Sequence, residues 1–168
     1  MRWTFVQETK DVFAIDGLNI WRQAARALKG ETKAPISLNG GSFDEAATEE
    51  RLRRQKNLTS LGYFLIRKLH LAYLFGEYDA AFAYGLETEE FVALLPGQIH
   101  VAEHSLYFGL TLVAMLRRKN GGNRRFARAL RKCNRRLARW AYFAAQNFEH
   151  MSLLLRVPSG TWLELEAT

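Results

Sequence analysis

The stretch LTSLGYFLIRKLHLAYLF, residues 58–75, decides the fold. Leu, Ile, Phe and Tyr fill so much of it that Arg67, Lys68 and His70 occupy only a narrow strip, and a helix that is apolar on most sides must lie centrally in the packing. Gly76-Glu77-Tyr78-Asp79 interrupts the pattern for about one turn. Ala80, Ala81, Phe82, Tyr84 and Leu86 then resume it up to Leu95, so the spacing predicts two antiparallel helices joined tightly. Working outward, Leu18, Trp21, Ala25 and Leu28 follow a 3-4-3 spacing that predicts a helix over 16–29 with those residues on its inner face, ended by Gly30 in the left-handed region. Residues 30–42, with Thr32, Pro35, Asn39, Gly40 and Gly41, read as a loop with little means of packing. Ser42 and Glu45 are spaced as a capping box, which predicts a helix over 43–54.

Beyond Pro96-Gly97 the pattern predicts a helix from Gln98 to Lys119, broken by Asn120-Gly121-Gly122-Asn123. Phe126, Leu130, Cys133, Leu137, Trp140 and Ala144 then recur at 4-3-4-3-4, one seam of a helix whose outside is arginine. A last apolar stretch, Phe148 to Val157, is expected to stop at Pro158-Ser159-Gly160. Trp3 to Ile15 reads as a helix or as a hairpin across Glu8–Asp11, with helix the preferred reading. Nothing alternates with period two for long enough to demand a sheet. The expected fold is all-α, six or seven antiparallel helices in one domain, residues 1–168.

Composition agrees with a packed domain. With 168 residues, 48% apolar and 24% charged, the chain can bury roughly 68–70% of its unfolded surface, which excludes disordered and fibrous classes. Cys133 is the single cysteine and cannot form an intrachain disulfide, and Met1-Arg2-Trp3-Thr4 lacks the character of a secretory leader, so a cytoplasmic location is expected. Ser105 to Leu116 runs 12 residues without a charge, against about 20 for a bilayer span, and reads as a buried helix. The net charge of +7 is local: 11 Lys or Arg and no Asp or Glu lie between Arg117 and Arg139, leaving 13 basic and 17 acidic residues, or −4, elsewhere.

Leu69 and Ala72, the Gly76-Glu77-Tyr78-Asp79 turn and Ala81 resemble the tetratricopeptide pattern, which implies hairpins stacked as a right-handed superhelix. The blocks DGLNIWRQAARALKGET (16–32), SFDEAATEERL (42–52), IRKLHLAYLFGEYDAA (66–81), PGQIHVAEHSLYFGLTL (96–112) and Asn147 to His150 resemble, in that order, the helical-repeat arm of very large bacterial signalling proteins. In those proteins a serine/threonine-kinase-like domain and an AAA-type ATPase precede the arm, and a GAF domain and a sensor histidine kinase follow it. The resemblance implies a piece of the arm; no phosphate loop, kinase catalytic loop or phosphoacceptor-histidine box is present to carry an activity over. The arm usually has mixed charge where this chain has Arg124 to Arg139, and it continues into further repeats where this chain stops after Thr168.

Two constellations point to chemistry. His100-Val101-Ala102-Glu103-His104 is an HxxEH string, in which histidines at i and i+4 share a zinc ion and the glutamate polarises its water. A third ligand would have to come from Glu149, Glu164 or Glu166. Arg124, Arg125, Arg128, Arg131, Lys132, Arg135 and Arg136 form the other, a basic helix (123–139) suited to sequence-tolerant nucleic-acid or anion binding, with Trp140, Tyr142 and Phe143 placed to stack on bases. Cys133 on the apolar seam reads as a buried small side chain. Asp44, Glu45, Glu49 and Glu50 read as helix N-terminal charges, and His70 and His150 are unpaired in sequence. Gly40-Gly41 and Gly121-Gly122 lack the residues of a phosphate cradle.

The expected function is a non-enzymatic protein-interaction module with no cofactor, binding its partner or neighbouring signalling domains through a groove lined by Arg67, Lys68 and His70. Nucleic-acid or anion binding is the alternative, and a zinc peptidase built on His100 and His104 is the remote one. Trp162, Leu163 and Leu165 suggest an apolar end still to be covered.

Overall fold

The computed structural model describes residues 11–92, 95, 99–118 and 124–164, with side chains through Arg156. They form seven helices and no strand: α1 Val12–Leu28, α2 Glu45–Arg54, α3 Leu58–Leu74, α4 Tyr78–Thr88, α5 Ile99–Arg118, α6 Arg124–Phe143 and α7 Ala145–Glu164. The expected breakers Pro96-Gly97 and Asn120 to Asn123, the Trp3 to Lys10 part of the amino terminus, and Leu165 lie outside the described residues. So do the side chains of Trp162 and Leu163.

α3 is central, as its composition requires, and packs on α1, α2, α4 and α5. Asn57 caps it through the Ser60 amide at 3.1 Å. At its other end Gly76 takes φ +79° and the Glu77 amide reaches back to the Ala72 carbonyl at 2.9 Å, so the turn into α4 needs the left-handed conformation that glycine adopts without strain. Ala72 and Ala81 are fully buried where the two helices meet. α4 ends at Thr88 instead of continuing toward Leu95. Glu87, Glu89 and Glu90 crowd the negative end of the helix dipole there, which disfavours further turns.

α5 is the second central helix, touching α3, α4, α6 and α7. It is also, by length and composition, a described helix able to cross a membrane, and 67% of that apolar stretch is buried within this fold. A side chain on Gly85 of α4 would strike the Phe108 ring at 2.2 Å, and one on Gly109 of α5 would strike Leu155 of α7 at 2.5 Å. Both crossings therefore depend on glycine. Only Ala144 separates α6 from α7, and the chain folds back there with Trp140 against Phe148, edge to face at 4.8 Å. α7 does not stop at Pro158: its backbone stays helical to Glu164, the proline costing a hydrogen bond without ending the helix.

Three local expectations are corrected. α1 does not bury Leu18, Trp21, Ala25 and Leu28, which are exposed; it buries Asp16, Gly17, Ile20, Gln23, Ala24 and Ala27. Small residues let α1 approach α3, with Gly17 against the Tyr63 ring, and Asp16 is neutralised by the Arg51 guanidinium at 2.6 and 3.1 Å. α2 starts at Glu45, one turn after Ser42, and Asp44 caps it through the Ala47 amide at 2.9 Å. Glu45 is thereby freed for another task. Its carboxylate takes the Leu38 amide and the Lys68 ammonium, and Lys68 also donates to the Ile36 carbonyl at 2.5 Å. The loop over 30–42 is consequently docked, with Leu38 fully buried.

Candidate functional site

The side chains expected to line a groove are mostly consumed inside the bundle. Lys68 is buried and bound to Glu45 and the docked loop. Arg67 is equally buried, paired with Glu103 of α5, and its guanidinium lies 4.0 Å from the centre of the Trp21 ring. His70 stacks on Tyr107 at 4.1 Å. Burial, followed by the nearby Arg67 charge, lowers its pKa to about 4, so it is neutral at pH 7.

The two histidines of the HxxEH string take different partners. His100 Nδ1–H donates to Glu103 at 3.0 Å, and its ring packs on Tyr63. Burial resists ionisation of Glu103, but the His100 hydrogen bond and the Arg67 charge prevail and hold its carboxyl below the usual range. His104 points into the core, where Nε2–H donates to the Gly85 carbonyl at 2.9 Å. Burial drives its pKa down to about 4. Its Nδ1 has no hydrogen bond and faces Glu89 at 3.7 Å. Among the described residues no three His, Cys, Asp or Glu side chains converge as a metal site. Glu149 and His150 are exposed on α7, and the side chains of Glu164 and Glu166 lie outside the described residues.

α6 is built differently. Phe126, Ala127, Leu130, Cys133 and Leu137 are buried, which leaves the opposite face to water. At about 100° per residue, Arg124, Arg128, Arg131, Arg135, Arg139 and Tyr142 fall within one sector of roughly 80°, a row about 27 Å long. Arg124, Arg128 and Arg139 form no ion pair among the described residues, and Arg135 reaches only the Arg131 carbonyl, at 3.4 Å. Tyr142 and Phe143 close the helix 84% and 76% exposed, packed edge to face on each other. Trp140 is turned inward onto Phe148, away from them.

The flank of α6 facing α4 has an acid partner. Glu89 accepts from Lys132 at 2.5 Å and from Arg136 at 2.9 Å, and Arg136 also donates to Ser105 at 3.2 Å. Burial opposes charge on Glu89, yet the Arg136 and Lys132 hydrogen bonds keep its carboxyl below the ordinary range. Cys133 lies in the same region, its thiol pushed up to about 12 chiefly by burial, so it is no thiolate nucleophile. Sequence reading overlooked Glu89 because it sits in a Glu87-Thr88-Glu89-Glu90 run that resembles a solvated helix end. Its only signal was being an acid close in space, not in sequence, to a segment without acids.

Comparison with protein-family models, with curated proteins and with solved structures finds no match for this chain.

Proposed function

We propose that this chain is a non-enzymatic interaction module that docks an acidic partner protein on the outer face of α6. The arginine row carries the reading: Arg124, Arg128, Arg135 and Arg139 are exposed and form no ion pair among the described residues, and Arg124 stands at the positive end of the helix dipole, against the helix's own electrostatic preference. A partner's carboxylates would meet both needs. Tetratricopeptide-like stacking of the hairpins is the architecture under which this face is presented; the buried Ala72 and Ala81 and the Gly76 turn support it. In this reading the arm of the signalling proteins is the source of the scaffold, and α6 is its working surface.

The test is affinity co-purification with the chain and with a variant carrying Arg124→Glu, Arg128→Glu, Arg135→Glu and Arg139→Glu, each run with and without nuclease. A discrete set of proteins retained after nuclease by the chain, lost from the variant and weakened by salt, is the expected result. The same proteins on both baits would refute it. The exposed Tyr142–Phe143 pair favours a second reading, sequence-tolerant binding of single-stranded nucleic acid, in which aromatic rings stack on bases beside a basic track. That reading predicts nucleic acid on the bait and the disappearance of proteins with nuclease.

A further inference from the structure

A half-open cleft of about 390 Å³ lies between α4, α5 and α6, within the roughly 300–1,000 Å³ of small-molecule sites. Its apolar lining is Phe82 and Leu86 of α4, Phe108 and Leu112 of α5, and Phe126 and Ala129 of α6. The opening is made possible by small residues: Gly85 lets α4 settle on Phe108, and Ala129 leaves room where a larger side chain would fill the gap. Above this lining stand Arg125, Arg128, Lys132 and Arg135, with Glu89 as the single acid. Glu89 holds Lys132 and Arg136, whereas Arg128 has no ion pair among the described residues. The cleft is thus apolar below and positively charged along one edge.

Those two properties select a ligand class. A neutral apolar molecule leaves the cationic edge unanswered, a cation is repelled by it, and inorganic phosphate leaves the apolar floor wet. An unbranched chain ending in one anionic group satisfies both. We infer that this cleft binds a single-chain amphipathic anion, an alkyl carboxylate or alkyl phosphate, with its chain over Phe108 and Phe126 and its head at the Arg128–Lys132–Arg135 edge. The inference shares Arg128 and Arg135 with the acidic-partner reading but does not rest on it: the apolar lining takes no part in the outward row, and Arg124 and Arg139 take no part in the cleft.

Isothermal titration of the full chain with six- to ten-carbon alkyl carboxylates and alkyl phosphates, kept below micelle-forming concentrations, tests it and separates the two head groups. Affinity for at least one series should rise about fourfold per added methylene until the cleft is filled. The alcohol of equal length should bind at least tenfold more weakly. Ala129→Trp, which fills the cleft, should cost tenfold or more, as should the exposed pair Arg128→Ala with Arg135→Ala; Arg124→Glu with Arg139→Glu should leave binding unchanged. Leu86→Ser, on the exposed wall, replaces Ala129→Trp if circular dichroism shows that variant unfolded. No saturable binding, equal binding of the alcohol, inorganic phosphate bound as tightly as decyl phosphate, or a folded cleft variant with unchanged affinity would each overturn the inference.

Discussion

Replacing Arg67 by Met removes the charge at the centre of the bundle and leaves its partner behind. The Arg67 side chain is 3% exposed and that of Glu103 17% exposed, so the variant strands a carboxylate that water reaches only partly. Breaking a buried pair on one side costs about 3–5 kcal/mol. His100 remains at 3.0 Å from Glu103, which places the loss near the lower end, and the cation over the Trp21 ring adds about 0.5–1 kcal/mol. The expected loss of about 3–4 kcal/mol corresponds to a fall in Tm on the order of 10 °C for a chain of this size. Urea unfolding followed by far-ultraviolet circular dichroism measures it from the midpoint at constant slope. Arg67→Met with Glu103→Met should recover most of the loss, because a buried pair can be exchanged for apolar packing at little cost. The pH dependence has a definite sign. In the native chain the Glu103 carboxyl lies below its unfolded value of 4.5, so its contribution is present above that value and fades as pH falls through the folded one. In Arg67→Met the carboxyl loses the Arg67 charge and moves upward from its native position, so the difference in stability between the two proteins is greatest at neutral pH and narrows on acidification. A loss below about 1 kcal/mol, or a double variant no more stable than the single one, would refute the argument.

Gly109→Ala forces a methyl into Leu155, 2.5 Å from the nearest atom; it should cost about 1–3 kcal/mol and raise amide exchange in α7 before the rest of the chain. Cys133, with its thiol pushed up to about 12, should resist a maleimide at pH 8 in the folded chain and react once urea unfolds it; prompt modification of folded protein would contradict its burial. His104 has a folded pKa of about 4 against 6.5 unfolded, so the unfolded state binds the extra proton between those values and stability should decline as pH drops from 6.5 toward 4. Comparing His104→Gln with the parent between pH 6.5 and 5, where most carboxylates stay ionised, should show a flatter slope in the variant.

What the sequence made legible is what apolar periodicity alone determines. The central position of α3 and the Phe126–Leu130–Cys133–Leu137 seam follow from residue type and spacing, and the structure buries both. The buried face of α1 is not legible, because Leu18, Trp21 and Leu28 outweigh Asp16 and Gln23 on any count of apolar residues. Asp16 is buried only because Arg51, 35 positions away, neutralises it. The same holds for the candidate groove: Arg67 and Lys68 look like a wet strip until Glu103 and Glu45, 36 and 23 positions distant, come to them. Pairing across such separations leaves no periodic trace. The cleft was hidden for a related reason, since glycine and alanine on two helices signal closeness without saying what stands beside them. The arginine row was legible as a composition, whereas the acid that answers its flank, Glu89, is met only in space.

The uneven placement of charge also bears on how fast the molecule finds anything. Of the 11 cations between Arg117 and Arg139, eight lie on α6, while the remainder of the chain sums to −4, so positive charge is concentrated at that helix. An anionic body approaching within roughly 10 Å, the screening length at 0.1 M salt, turns the molecule until that helix faces it, so the search over orientations that normally slows protein association is partly done before contact. Association rates should then fall steeply with ionic strength while dissociation rates change little.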